Sequence, residues 1–237
     1  MKGGADMLLD TMTYEEICHE AIADSKHMIT WASHRMGELR RISLKARSFP
    51  VSRTMTHITP NKNKWTLIFV VLRKIKHNND CYNALFTSFH AKEGNIYIQM
   101  TPNRHGDMCV SAFIPHFFHR YAERLGLKIE GEALAQQFFR FNDAGYFVEQ
   151  PDGERTCLCT PQGICLGEYI NDRMFLARTF IRYDMSLGCQ REAFNKMRER
   201  FNRQIDVLIA PHDYDERFCI KEIYKRRDRA QSVVFHH

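Results

Sequence analysis

The middle of the sequence alternates short apolar runs with turn-forming segments, and this alternation constrains the fold more than any other feature. Between residues 65 and 115 the separating segments are rich in Asn, Asp, Gly and Lys. Apolar or alternating runs bounded by residues that tolerate tight turns are typical of an antiparallel β-meander. The predicted strands lie near residues 65–74, 82–90, 95–101 and 108–114.

Two helices are predicted after this meander, and a second set of strands follows them. Residues 115–126 begin with Pro115 and end at Gly126, the arrangement expected at the two ends of a helix. Another helix is predicted at about 130–141. Beyond Asn142 the strand texture returns, and the predicted strands are 145–150, 155–160, 163–170 and 174–183.

Helical segments are predicted on both sides of this central region. Residues 13 to about 47 have Thr13 as a candidate N-cap and two glutamates in the first turn, where carboxylates stabilise a helix. Residues 188–204 and 215–230 are helical in pattern and charged. The predicted fold class is α+β, with one or more antiparallel sheets, packed helices and helical flanks. We expect one compact domain with an N-terminal helical region (1–60), an α+β core (61–187) and a basic helical segment (188–237).

Composition limits the class of protein. The chain has 237 residues, of which 44% are hydrophobic and 26% charged. These values are ordinary for a globular protein, and they exclude collagen-like, highly charged disordered and simple coiled-coil chains. The net charge is mildly basic, since 34 basic minus 28 acidic residues gives +6. Such a balance is compatible with an anionic partner such as RNA but does not require one.

The N-terminus and the lengths of the apolar runs indicate where in the cell the protein is expected. The first ten residues lack the apolar stretch of roughly 7 to 15 residues that a secretory signal needs. The longest clean apolar run, 68–72, is far shorter than the ~20 residues that span a bilayer. We therefore expect a soluble cytoplasmic protein without a membrane partner. Thiols are kept reduced in the cytoplasm, so the eight cysteines do not predict disulfides.

The predicted helix at 115–126 carries the residues that are the best candidates for taking part in a chemical reaction. On a helical wheel His116, Arg120, Glu123 and Arg124 share an arc of roughly 100°. The opposite face is apolar and should be buried; it comprises Phe117, Phe118, Tyr121, Ala122 and Leu125.

These four polar groups form a coherent set for cleaving a phosphodiester. Such a reaction needs a base and an acid, for which His116 and Glu123 are candidates. It also needs donors for the charge that develops on the phosphate, for which Arg120 and Arg124 are candidates. The alternative is an ordinary amphipathic surface helix whose charged face is simply solvated.

The pattern His116-x-x-x-Arg120-x-x-x-Arg124 resembles the active-site helix of small toxin-type ribonucleases of the barnase, colicin and RelE superfold. Residues 163–167 and 176–181 resemble the later sheet of these proteins, with Thr179 where the family often has a hydroxyl residue. The resemblance covers residues 111–183, and about 110 residues precede the helix, more than is usual in that family. It implies metal-independent RNA cleavage without a cofactor, with Thr179 completing the site and an inhibitory protein as partner.

A basic and aromatic strand surface is predicted beside this helix. Arg178, Phe180 and Arg182 alternate along the last predicted strand, so they should share one face, on which bases can stack and phosphates can bind. The alternative is that the long basic side chains cover apolar sheet surface and keep their charged ends in water.

A cysteine cluster offers a different chemistry. Cys157, Cys159 and Cys165 lie within nine residues, and with His116 or His119 they could complete a tetrahedral zinc site. The spacing lacks the paired Cys-x-x-Cys pattern of zinc ribbons, and cysteine is commonly a small buried residue. The first hypothesis is therefore an RNA-directed protein with ribonuclease-like chemistry. The second is a non-catalytic interaction module, and the third is a zinc-binding protein.

Overall fold

The computed structural model describes residues 8–49, 51–71, 74–75, 81–103, 106–142, 146–149 and 156–185, with 192, 195, 196 and 199. Within these ranges the chain forms three α-helices, nine strands and a short 3-10 turn. They are α1 (Tyr14–Lys45), β1 (Val51–Ile58), β2 (Lys64–Val71), β3 (Cys81–Ala91), β4 (Gly94–Pro102), β5 (Met108–Phe113), α2 (Pro115–Leu125), α3 (Gly131–Phe141), β6 (Tyr146–Glu149), β7 (Thr156–Thr160), β8 (Gly163–Asn171), β9 (Met174–Arg182) and the turn Tyr183–Met185.

The nine strands form one mixed sheet in the order β1-β2-β3-β4-β5-β9-β8-β7-β6. Neighbouring strands are antiparallel except for β5 and β9, which run parallel. A parallel pair needs a long crossover, and α2, α3 and β6 to β8 lie between these two strands in the chain. The predicted α+β class is confirmed, and the prediction of a purely antiparallel sheet is corrected to a mixed one.

The predicted elements between residues 64 and 182 all form, with ends shifted by a few residues. Residues 51–58 were predicted as part of a helical region, and they instead form β1 at the edge of the sheet. The helices predicted at 188–204 and 215–230 fall almost entirely outside the described residues. None of the helices described is long and apolar enough to cross a bilayer.

α1 covers one face of the sheet. It begins with a capping box in which the Thr13 hydroxyl accepts from the Glu16 N–H at 3.2 Å and the Glu16 carboxylate accepts from the Thr13 N–H at 2.7 Å. Met28 and Leu39 of α1 are fully buried in a core shared with the inner face of β2, including Trp65. The helix predicted over residues 13–47 therefore packs on the sheet instead of flanking it.

α2 and α3 cover the other face and form an aromatic core. α2 lies over β9, and α3 lies over β2 and β3. Edge-to-face ring contacts connect the two helices and the sheet, with ring centroids 5.0 to 5.4 Å apart for Phe113, Phe117, Phe138 and Phe139. Such contacts add stabilisation to the burial of large rings, so α2 is held firmly on its apolar side.

A bulge in β9 changes which side chains face α2. Leu166 of β8 pairs with Thr179, whereas the next residue, Gly167, pairs with Ala177, so Arg178 is left as an extra residue. An extra residue reverses the alternation of side chains along the rest of the strand. Ala177 and Phe180 therefore both face α2, although they are three residues apart.

Candidate functional site

The apolar side of α2 is built as its pattern predicts. Phe117, Phe118, Tyr121 and Leu125 are buried in the aromatic core. The Tyr121 hydroxyl donates to the Gln162 side chain at 2.8 Å, and burial raises the pKa of Tyr121. Gly126 ends the helix with a φ of 64°, a left-handed conformation that glycine adopts readily. These contacts fix the orientation of the polar side of the helix.

The polar arc of α2 forms and contains a local ion pair. Arg120 Nη1 lies 2.7 Å from Glu123 Oε2, and the hydrogen bond and charge of Arg120 lower the pKa of Glu123. Both side chains are exposed, so the pair contributes little to stability. His116 is exposed on the same side. Glu123 is thus held as a carboxylate and serves poorly as a proton acceptor near neutral pH.

Arg124 differs from Arg120 because it forms no salt bridge among the described residues, although the charge of the nearby Glu123 acts on it. It is partly buried, and its Nη1 atom is enclosed without a hydrogen-bond partner in the part of the chain that the structure describes. Burial lowers its pKa, and the nearby charge of Arg120 acts in the same direction. Arg182 donates to the Arg124 carbonyl at 3.1 Å, which satisfies one carbonyl at the end of α2. An anionic ligand would supply the partner that the Arg124 guanidinium lacks.

A pocket of about 450 Å³ lies beside this arc, between α2, the start of α3 and β4. His119 and Glu123 of α2 are part of its wall, whereas His116 is not. The other lining residues are Asn95, Tyr97, Pro115, Phe118, Ala122, Leu127, Lys128, Ile129, Glu130, Gly131 and Leu134. The volume is in the range of small-molecule sites. Of the two histidines on α2, it is therefore His119 that faces a concave surface.

The sequence did not single out most of this pocket. Tyr97 was predicted only as part of a strand, and residues 127–131 as a connection between helices. Nothing local in the sequence shows that β4 and the α2–α3 connection meet. Among its polar lining residues, only Glu123, as a candidate acid, and His119, as an alternative zinc ligand, were named from the sequence. Phe118 and Ala122 were predicted only as part of the buried side of the helix.

The predicted surface on β9 does not form. Phe180 is fully buried and packs on Tyr121 with ring centroids 5.1 Å apart, so it cannot stack on a base. Arg178 is the extra residue of the bulge; it pairs with Glu168, and its charge acts on Tyr14 of α1, on the other face of the sheet. Arg182 is on the α2 side but is engaged by Asp184. The bulge is the physical reason that the predicted alternation fails.

Thr179 is also separated from the polar arc of α2. It is next to Phe180 in β9, and Phe180 points into the α2 core. Adjacent residues of a strand point to opposite faces, which places Thr179 on the side away from α2. The structure therefore does not bring Thr179 together with His116, Arg120 and Glu123.

The cysteine cluster is divided between the two faces of the sheet. Cys165 pairs with Leu158 and lies in the aromatic core, whereas Cys157 and Cys159 alternate with Leu158 and point the other way. All three are buried, and burial raises the pKa of Cys165, which keeps its thiol protonated. No group of three or more metal-ligating residues occurs in the described part of the chain. The proposed zinc site of these cysteines with His119 is therefore wrong.

Comparison of the chain with protein-family models finds no match, and comparisons with curated proteins and with solved structures find no match either. The resemblance to toxin-type ribonucleases stays a prediction.

Proposed function

We propose that this protein is RNA-directed and that it binds single-stranded RNA on the outer side of α2. The observation that carries the proposal is Arg124, a partly buried guanidinium that forms no salt bridge among the described residues and whose Nη1 atom has no hydrogen-bond partner there; it lies next to Arg120 on the same helix. Guanidinium groups suit phosphate oxygens because they are planar, permanently charged and able to donate two parallel hydrogen bonds. RNA offers such oxygens at regular spacing, which matches the position of the two arginines on successive turns.

Cleavage of the bound RNA is the stronger form of this proposal. His119 faces the pocket, His116 is exposed one turn before it, and histidine is the most common general acid or base in catalysis. One histidine would take the proton of the 2′-hydroxyl as its oxygen attacks phosphorus, and the other would protonate the departing 5′-oxygen. Glu123, held by Arg120, would orient that arginine toward the phosphate. The products would be a 2′,3′-cyclic phosphate and a free 5′-hydroxyl.

A non-catalytic binding module is the second candidate. The position of Thr179 favours it, because the hydroxyl that the ribonuclease resemblance places in the site faces away from α2. Glu123 supports the same interpretation, since its lowered pKa makes it a weak base at neutral pH. Under this alternative α2 binds the backbone of RNA and the chain performs no chemistry.

The binding experiment compares two arginines. A labelled single-stranded RNA of about eight nucleotides, within the length that such sites bind, is titrated with wild type, Arg124→Gln and Arg178→Gln. Each variant removes one guanidinium, but Arg178 is paired with Glu168. We expect wild-type binding that weakens with salt, about tenfold weaker binding for Arg124→Gln, and wild-type affinity for Arg178→Gln. Equal loss in both variants, or no binding by wild type, would contradict the proposal.

The cleavage experiment uses the same RNA in the presence of a chelator. The catalytic form would be supported if wild type yields a product with a 2′,3′-cyclic phosphate end and His119→Asn does not. The variant must keep the wild-type thermal midpoint, which shows that it is folded. Binding without product would establish the non-catalytic module instead. Product formation that survives both His116→Asn and His119→Asn would exclude these histidines as the groups that move protons.

A further inference from the structure

The pocket beside α2 has a mixed lining, in which an apolar patch lies next to polar and charged side chains. Phe118 and Tyr97 form part of it, with ring centroids 4.9 Å apart in an edge-to-face arrangement. Pro115, Ala122 and Leu134 extend the apolar surface. A lining of this composition favours a flat ligand with apolar faces over a compact, strongly hydrated ion.

Tyr97 supplies a hydroxyl that the protein leaves unsatisfied. The residue is 3% exposed, and its oxygen has no hydrogen-bond partner among the described residues. Burial raises the pKa of Tyr97, and a weaker interaction with the Asn95 side chain lowers it in part, although Asn95 does not reach hydrogen-bond geometry. The phenol therefore keeps its proton, and the described residues place no acceptor at hydrogen-bond distance from it. A buried hydroxyl without a partner costs stability, and a ligand that offers an acceptor recovers that cost. The oxygen is closed to solvent, so a ligand would reach it only if the pocket wall moved.

Charged groups also line the pocket. His119, Lys128 and Glu130 line it together with Glu123, whose carboxylate is occupied by Arg120. The acidic groups disfavour a phosphate deep in the pocket, whereas Arg120 and Arg124 favour a phosphate outside it on α2. The pocket and the arc of α2 meet at Glu123, so they suit a base and the backbone phosphates that adjoin it.

We propose that the pocket holds one unstacked base of the bound RNA. The inference rests on the proposed function and names the part of RNA that the site recognises. The faces of the base pack on the apolar lining, an acceptor on its edge receives the Tyr97 hydroxyl proton, and its phosphate contacts Arg120 and Arg124. Proteins commonly recognise single-stranded RNA through such splayed bases.

Two changes in the protein test the pocket. Tyr97→Phe removes only the hydroxyl, and the fold should tolerate it because the hydroxyl has no partner to lose. Ala122→Leu fills the pocket from α2. We expect about fivefold weaker RNA binding for Tyr97→Phe and a larger loss for Ala122→Leu. The matched controls are Tyr14→Phe on the opposite face of the sheet and Ala133→Leu on the exposed side of α3, which should bind as wild type.

A change in the ligand separates this inference from the proposed function. The RNA is compared with an oligomer of the same length that keeps ribose and phosphate but lacks the bases, and nucleoside monophosphates are titrated while the thermal midpoint is followed. At least about tenfold weaker binding of the abasic oligomer would support the base site. Equal binding of the two oligomers would overturn the base site and leave RNA binding intact. A third outcome is that a nucleoside monophosphate raises the thermal midpoint of wild type but not of Tyr97→Phe, while neither protein binds RNA. This outcome would retain the pocket as a nucleotide site and refute the proposed function.

Discussion

At the scale of single residues, Gly167 of β8 permits β9 to lie close at the bulge. A Cβ atom at this position would be 2.0 Å from the Leu176 carbonyl oxygen and 2.7 Å from the Phe175 ring. The nearest atom belongs to the backbone, so the clash is relieved only if the two strands separate. Glycine is needed here for close approach, and substitution should damage the arrangement that places Arg178 and Phe180 on opposite faces.

Gly167→Ala should therefore destabilise the protein by about 2 to 3 kcal/mol, the usual cost of inserting a group into a filled space. Gly37→Ala makes the same chemical change in the middle of α1, where a Cβ meets nothing within 4 Å. It should stabilise the protein by about 1 kcal/mol, because alanine favours the helix over glycine. Urea unfolding of both variants measures the two effects. A loss of stability in Gly37→Ala, or none in Gly167→Ala, would contradict this account.

Asp24 is a buried carboxylate that joins α1 to the β1–β2 hairpin. Its Oδ2 atom accepts from Trp65 Nε1 at 2.7 Å, Asn63 Nδ2 at 2.8 Å and Thr59 Oγ1 at 3.0 Å. Asp24→Ala leaves the buried Trp65 Nε1 without an acceptor and removes one of two acceptors from Asn63 Nδ2 and Thr59 Oγ1, which keep Glu20 and the Asn63 carbonyl. We expect a loss of about 3 kcal/mol in the free energy of unfolding. Urea unfolding measures this loss.

The control for Asp24→Ala is Glu15→Ala, which removes an exposed carboxylate from the first turn of the same helix. Its carboxylate stabilises α1 only through the helix dipole, so the free energy of unfolding should fall by less than about 1 kcal/mol. Equal stability of the two variants would show that the buried hydrogen bonds of Asp24 add nothing to the fold.

At the scale of elements, a pair of histidines connects α1 to the edge strand β1. His27 Nε2 and His57 Nε2 are 2.8 Å apart, a hydrogen bond in which one ring must donate and the other accept. Trp31 packs on His57 with ring centroids 4.8 Å apart, and Arg35 lies over Trp31 at 5.4 Å. Burial lowers the pKa of His57, and the nearby His27 and Arg35 act in the same direction. The neutral form of His57 is thus the one that the fold favours.

This pair predicts a loss of stability in mild acid. The unfolded chain takes up a proton at His57 near pH ~6.5, whereas the folded chain does so only at lower pH. Above about pH 6.5 the contribution of His57 to stability should not change with pH. As the pH is lowered from about 6.5, the stability should decrease, and the decrease should stop once the pH is below the pKa of His57 in the folded protein. Thermal midpoints measured across this range should show the fall in wild type and a smaller one in His57→Gln. His19→Gln, an exposed change on α1, serves as the control and should behave as wild type.

The sequence predicted local elements well and their long-range arrangement poorly. The turn-separated runs gave the strands from β2 onward, because turn residues and alternation act locally. β1 was missed because its sequence, Val-Ser-Arg-Thr-Met-Thr-His-Ile, is largely polar and its outer residues are exposed, as suits an edge strand. The parallel pairing of β5 with β9 depends on contacts between residues more than 60 positions apart, which no local pattern contains.

The candidate site shows the same division. The two sides of α2 were predicted correctly, because helical periodicity alone decides them. The contribution of β9 was wrong, because a single extra residue at Arg178 reversed the alternation on which the prediction depended. The pocket was not predicted, since Tyr97, Lys128 and His119 come from three separate segments that meet only in the folded chain.

At the scale of the whole molecule, the sheet separates two basic surfaces. α2 carries Arg120 and Arg124 on one face of the sheet. On the other face, α1 exposes Arg40, Arg41 and Lys45 near its end, and none of these forms an ion pair within the described ranges. The net charge of +6 would attract any anionic polymer to either surface at long range. The two surfaces differ because a pocket of the described part of the chain lies along α2, where it is lined by Glu123, the partner of Arg120.

Two double variants with the same change in net charge separate a specific site from general attraction. Arg120→Gln/Arg124→Gln and Arg40→Gln/Arg41→Gln each remove two positive charges. For a short single-stranded RNA, the α2 variant should lose affinity. The slope of log affinity against log salt concentration should become less negative by about 1.4, because each lost phosphate contact changes it by ~0.7. The α1 variant should keep the wild-type slope, since its arginines contact no phosphate when the RNA lies on α2. Equal flattening in both variants would mean that the RNA follows net charge instead of the site on α2.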